Sequence, residues 1–162
     1  MQKIIAVSGI KNSGKTTLIT GLVRHYSERG LKVAVIKHDG HDFDCDIPGT
    51  DTRTFSDNGA YGTACFSGNR IFVHKQGTGE NEARLLGLFP EADIIFLEGL
   101  KNSSYDKIEV IRKGISDAPA SNPEGRFLIA TDHPAEMFDE KTADLNDIEG
   151  IAAEIDKLRQ ER

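Results

Sequence analysis

Residues Gly9-Ile10-Lys11-Asn12-Ser13-Gly14-Lys15-Thr16 complete the pattern G-x-x-x-x-G-K-[ST]. They stand between a short apolar run, Lys3–Ser8, and a stretch in which Leu18, Ile19, Leu22, Val23 and Tyr26 recur at helical spacing. Strand, glycine loop and helix in that order form a cradle for phosphate. Glycines let successive backbone N–H groups turn inward, and the start of the helix adds its positive dipole end. Lys15 then reaches the β- and γ-phosphates, and the Thr16 hydroxyl becomes a ligand for Mg²⁺.

The pattern after the loop predicts an α/β chain. Gly30 is placed to end the first helix, and Lys32–Lys37 returns as a β-branched strand, which completes a βαβ unit. Asp93–Leu97 (DIIFL) reads as a central parallel strand, and Lys107–Arg112 and Arg126–Ala130 read as further strands. Two short strand-like runs, Gly62–Ser67 and Arg70–Lys75, flank Gly68-Asn69, a two-residue hairpin signal. Asn81–Phe89 reads as a short helix stopped by Pro90, and Ser116–Gly125 as a surface loop. Leu145, Ile148, Ile151, Ile155 and Leu158 make an amphipathic C-terminal helix. His38–Gly62, rich in Asp, Gly and Thr, reads as a long functional loop rather than a packed element. The expectation is a P-loop NTPase fold in one domain over residues 1–162. Its sheet is mostly parallel and flanked by helices, with a small antiparallel β addition over about residues 60–76.

Composition narrows the partners. With 20 Lys+Arg against 26 Asp+Glu the net charge is -6, which disfavours a nucleic-acid partner. No stretch approaches the roughly 20 apolar residues of a membrane span, and the N-terminal run leads into the glycine loop without the cleavage site of a signal peptide. Two cysteines, Cys45 and Cys65, suggest neither a disulfide framework nor a structural zinc site, so the expected home is the cytoplasm.

Other candidates surround the loop. Glu98 follows the apolar strand, where an acidic residue can hold Mg²⁺ or its water; the alternative is a solvent-facing strand terminus. The segment 37–52, KHDGHDFDCDIPGTDT, begins at the carboxyl end of the second strand. Its carboxylates suit a hard cation better than a transition metal, and Asp39 is the first candidate for a second magnesium carboxylate. Asp132, at the end of the strand Arg126–Ala130, could accept hydrogen bonds from a guanine ring or equally cap a helix. Lys11 could reach phosphate across a dimer interface, or be a solvated loop charge.

Taken together, GIKNSGKTTL, KHDGHDFDCDIPGTDT, the NGA at Asn58–Ala60 and the LEGLK at Leu97–Lys101 resemble, in the same order, the molybdopterin-guanine dinucleotide biosynthesis protein B family. The resemblance covers most of the chain. It departs at Leu100, where the family favours an aromatic residue after Glu-Gly, and at Thr52, where it favours serine. The resemblance implies GTP with Mg²⁺, weak hydrolysis, a homodimer, and partnership with the molybdenum cofactor guanylyltransferase that joins GMP to molybdopterin. It also implies Gly9, Asn12, Ser13, Gly14, Lys15, Thr16 and Thr17 as nucleotide contacts and Glu98 as the acidic strand-end residue.

Two other classes fit the same phosphate loop. One is a small-molecule or nucleotide kinase, although Arg53, Arg70, Arg84, Arg112 and Arg126 are scattered and make no compact lid. The other is a metal-insertion GTPase chaperone using His38 and His41.

Overall fold

The structure, a computed structural model, describes residues 2–40, 43–77 and 82–158. The chain divides into two compact units, the first made of Met1–His38 and Leu85–Arg162, the second of Asp39–Arg84.

In the first unit six strands form one sheet: β1 (Lys3–Ser8), β2 (Val33–Lys37), β5 (Ile94–Glu98), β6 (Lys107–Ile111), β7 (Arg126–Thr131) and β8 (Thr142–Asp144). Their order is β2-β5-β1-β6-β7-β8 and every pairing is parallel. β1 is apolar from Ile4 to Val7 because both of its faces are covered. Ile5 and Val7 enter a core with Leu18, Leu22 and Tyr26 of α1 (Lys15–Glu28) and Ile151 and Ile155 of α4 (Ile148–Lys157). Ala6 instead joins Ala34, Ile36, Ile95 and Leu97 on the opposite face. Each large side chain so buried contributes roughly 1.5–3 kcal/mol. Gly21 lets α4 come close to α1, since a Cβ there would lie 2.6 Å from Cδ1 of Ile148. β5 is buried at all five positions between β2 and β1; the apolar run Ile94–Leu97 predicts four of them, and the fifth is the charged Glu98.

The C-terminal elements differ in detail from the sequence pattern. The helical spacing that began at Leu145 becomes helix only from Ile148. Asp147 caps it by accepting from the Gly150 amide at 2.9 Å, while Leu145 is buried ahead of the helix. The three-residue β8 pairs with β7 and carries no signal a strand pattern could reveal. The short helix expected at Asn81–Phe89 is α3 (Glu82–Leu86), and Asn81 lies outside the described residues.

The second unit holds α2 (Asp51–Asp57) and the hairpin of β3 (Gly62–Phe66) and β4 (Ile71–Lys75). The hairpin turns at Gly68-Asn69, with the Ser67 amide donating to the Arg70 carbonyl at 2.8 Å. It forms a two-stranded sheet of its own and adds no strand to the six-stranded sheet. The helix α2 corrects the expectation of a structureless segment from His38 to Gly62. Oδ1 of Asp46 accepts from the Ile47 amide and from the hydroxyls of Thr50 and Thr52, which fixes the turn before the helix. Thr50 is the N-cap, and Asp51 sits in the first turn, where a carboxylate favours the dipole. No residue of α2 is buried, so it leaves no apolar stripe in the sequence.

Candidate functional site

Strand order changes direction around β1, and in such sheets ligands occupy the crevice beyond the carboxyl ends of the strands. The loop from Gly9 to Thr16 lies there. Gly9 has φ of 143°, and a Cβ on it would meet the Val110 carbonyl oxygen at 2.6 Å and the Ser13 hydroxyl at 2.7 Å, so only glycine fits. Asn12 takes a left-handed φ of 65°, which asparagine tolerates better than most residues. Gly14, at φ 105°, N-caps α1 without any side-chain cap, and the first turn of α1 carries no acidic residue. The positive end of that helix is therefore open to an anion.

The side chains follow from this backbone. Lys15 curls over the loop, with Nζ donating to the carbonyls of Gly9 at 3.0 Å and Ile10 at 2.7 Å. The Ser13 hydroxyl is buried and has no hydrogen-bond partner. Thr16 and Thr17 are exposed at the start of α1, and Lys11 and Asn12 are exposed on the loop. Across the sheet edge, Glu98 ends β5 in register with Val7, and its Oε1 accepts from the Thr16 hydroxyl at 3.1 Å. Two hard oxygen donors meeting beside a phosphate cradle are what a Mg²⁺ ion takes. A cradle that only glycine fits, an orphaned serine hydroxyl within it and an uncapped helix start all fit a bound nucleotide phosphate chain. Thr16 and Glu98 would hold its metal.

The loop after Glu98 is held firmly. Gly99 donates its amide to the Val7 carbonyl at 2.9 Å and accepts from the Ser8 hydroxyl at 2.8 Å. Leu100 adopts a left-handed φ of 50°, a region leucine seldom enters, and packs against the Ala6–Leu97 cluster. Next along, the fully buried Lys107 donates to the carbonyls of Lys101, Ser103 and Glu124 and to Oδ1 of Asn122. Burial, and then the nearby Arg126 guanidinium, pull its ammonium below the ordinary lysine range.

The remaining candidates make other contacts. Asp132 stands at the carboxyl edge beyond β7 as expected, and its Oδ1 accepts from the Lys113 amide at 2.6 Å. Asp39 belongs to the second unit, where it lines a groove with Asp44, Arg53 and His74. There Arg53 pairs with Asp44 and Asp57, and its hydrogen bond holds the Asp44 carboxyl below the usual range. His38 continues the β2–β5 ladder by donating its amide to the Glu98 carbonyl at 3.0 Å, and His41 lies outside the described residues. Among the described residues, no group of three or more His, Cys, Asp or Glu side chains is placed to hold a metal ion. Arg112 is the residue that sequence reasoning passed over as one of several scattered arginines. It directly follows β6, and a Cβ at Gly14 would lie 2.9 Å from its Nη2.

A parallel sheet with a glycine loop between its β1 and α1, and an acidic strand end hydrogen-bonded to the threonine after the loop lysine, defines a P-loop NTPase-like protein. The family profile described as molybdopterin guanine dinucleotide synthesis protein B, MobB, matches residues 4–132, and the chain belongs to that family. It is 32% identical over 159 residues to the molybdopterin-guanine dinucleotide biosynthesis adapter protein of Escherichia coli, covering 94% of this chain and 90% of the other. It is 30% identical over 151 residues to a putative adapter protein of the same description from Methanocaldococcus jannaschii, covering 90% of this chain and 58% of that longer one. The crystal structure of Bacillus subtilis MobB shares the fold with a TM-score of 0.78 at 24% identity, over 98% of this chain and 99% of that one.

Proposed function

We propose that the chain is a GTP-binding accessory protein of molybdenum cofactor maturation, which assists a guanylyltransferase in attaching GMP to molybdopterin in the cytoplasm. The observation that carries this reading is the Thr16–Glu98 hydrogen bond beside a loop built for phosphate. The relatives' description as molybdopterin-guanine dinucleotide biosynthesis adapters supports both the pathway and the accessory role. The backbone of Gly9–Thr16, the Lys15 ammonium and Thr17 would bind the phosphates, and Thr16 and Glu98 would hold Mg²⁺. The metal would neutralise phosphate charge and polarise the γ-phosphate, and hydrolysis is weak in this reading.

The chain works as a homodimer. Supporting this, the hairpin leaves Phe66, Ile71 and Val73 at 82%, 79% and 64% exposure, an apolar surface of the kind soluble proteins cover with a partner.

The base is the discriminating part of the proposal. In a displacement assay with a fluorescent guanine nucleotide and Mg²⁺, GTP displaces the probe at lower concentration than ATP. Equal competition by ATP removes the guanine assignment and returns the site to a general nucleotide or kinase role.

A further inference from the structure

β1 has two neighbours in the sheet, and the site described above uses only one of them. Glu98 comes from β5 on one flank of the loop. On the other flank β6 delivers Arg112, directly after Ile111. Its backbone is set by a turn in which the Arg112 carbonyl accepts from the amides of Ile115 at 3.0 Å and Ser116 at 2.9 Å. The next amide, of Lys113, is held by Asp132 at 2.6 Å. The guanidinium lies against Gly14, the residue that opens α1. Its Nε is buried with no hydrogen-bond partner, and among the described residues the group has no acidic partner. Together with Gly14, Thr17, Thr20 and Asn146 it lines a cleft of ≈ 460 Å³ that runs from the phosphate loop along α1 to the turn before α4.

A half-buried guanidinium left without a counter-charge, beside a helix start that also lacks one, is costly unless an anion completes it. We propose that Arg112 is a phosphate ligand of the bound nucleotide. Its planar donors hold the α- and β-phosphates from the β6 flank, while Thr16 and Glu98 serve the metal end on the β5 flank. The assignment to the α- and β-phosphates follows from the sheet: metal ligands on one side of β1 leave the other side for the end of the phosphate chain that joins the nucleoside. Asp132 then acts as a positioning residue, fixing the turn that carries Arg112. This inference rests on the nucleotide-binding reading of the loop.

The test is a set of calorimetric titrations with GTP, GDP and guanosine in Mg²⁺, on the full chain and on its Arg112→Gln and Arg112→Lys variants. Arg112→Gln is expected to weaken GTP and GDP by the same factor, about ten- to hundredfold, to leave guanosine binding unchanged, and not to lower the melting temperature of the nucleotide-free protein. Arg112→Lys should recover part of the loss. Parent-like affinities in Arg112→Gln would overturn the proposal, as would a loss confined to GTP or an equal loss for guanosine. A parent chain that binds neither nucleotide overturns the functional reading and this inference with it. A parent that binds both, with an indifferent Arg112→Gln, overturns only the role of Arg112.

Discussion

The hydroxyl of Thr16 donates to Oε1 of Glu98 at 3.1 Å, although 82 residues separate the two in sequence. Parallel pairing of β1 with β5 brings them together, because Val7 is in register with Glu98 and the loop after β1 carries Thr16 back over the sheet edge. In the nucleotide-binding reading these two oxygens would hold Mg²⁺, whose charge would offset that of the phosphates.

Glu98→Gln keeps the shape of the side chain and removes its charge. In the proposed function its carboxylate acts through the metal, so nucleotide affinity in EDTA should stay near that of the parent. The enhancement of binding by Mg²⁺ should fall by roughly tenfold or more, together with any GTP hydrolysis. Titrations with and without Mg²⁺ read this directly. An unchanged Mg²⁺ enhancement would remove Glu98 from the metal site.

Much of this site is legible in the sequence because its signals are local. A glycine loop between an apolar strand and an amphipathic helix is written in consecutive residues, and Glu98 is marked by the apolar run that it ends. Arg112 is not legible in that way. Its role depends on β6 lying next to β1, a fact of sheet order that no window of sequence contains. The helix α2 escaped for a different reason: with no buried residue it has no apolar period, and Asp46 and Thr50 hold its start through side-chain hydrogen bonds. Asp132 shows a third limit, since sequence places it at the strand end but cannot show that the Lys113 amide occupies its Oδ1.

Lys107 ties the loop that follows Glu98 to the segment before β7 through four oxygen acceptors. Lys107→Met fills similar volume but leaves those acceptors without a donor, so it should destabilise the fold by about 2–4 kcal/mol. A lowered urea midpoint at unchanged slope reports the loss. A midpoint equal to the parent's would mean that water or relaxation satisfies the acceptors and that the lysine cage is not a stabilising element.

Calorimetric titration of GTP with Mg²⁺ into the parent chain and into Lys15→Ala shows whether the phosphates bind at the loop from Gly9 to Thr16. The Lys15 ammonium, which now rests on the Gly9 and Ile10 carbonyls, is expected to transfer to the β- and γ-phosphates. Lys15→Ala should therefore keep the parent's fold and circular dichroism while losing about ten- to hundredfold or more in affinity for GTP. Guanosine binding should change little. Equal GTP affinity in the two proteins would mean that the loop from Gly9 to Thr16 is not where the phosphates bind.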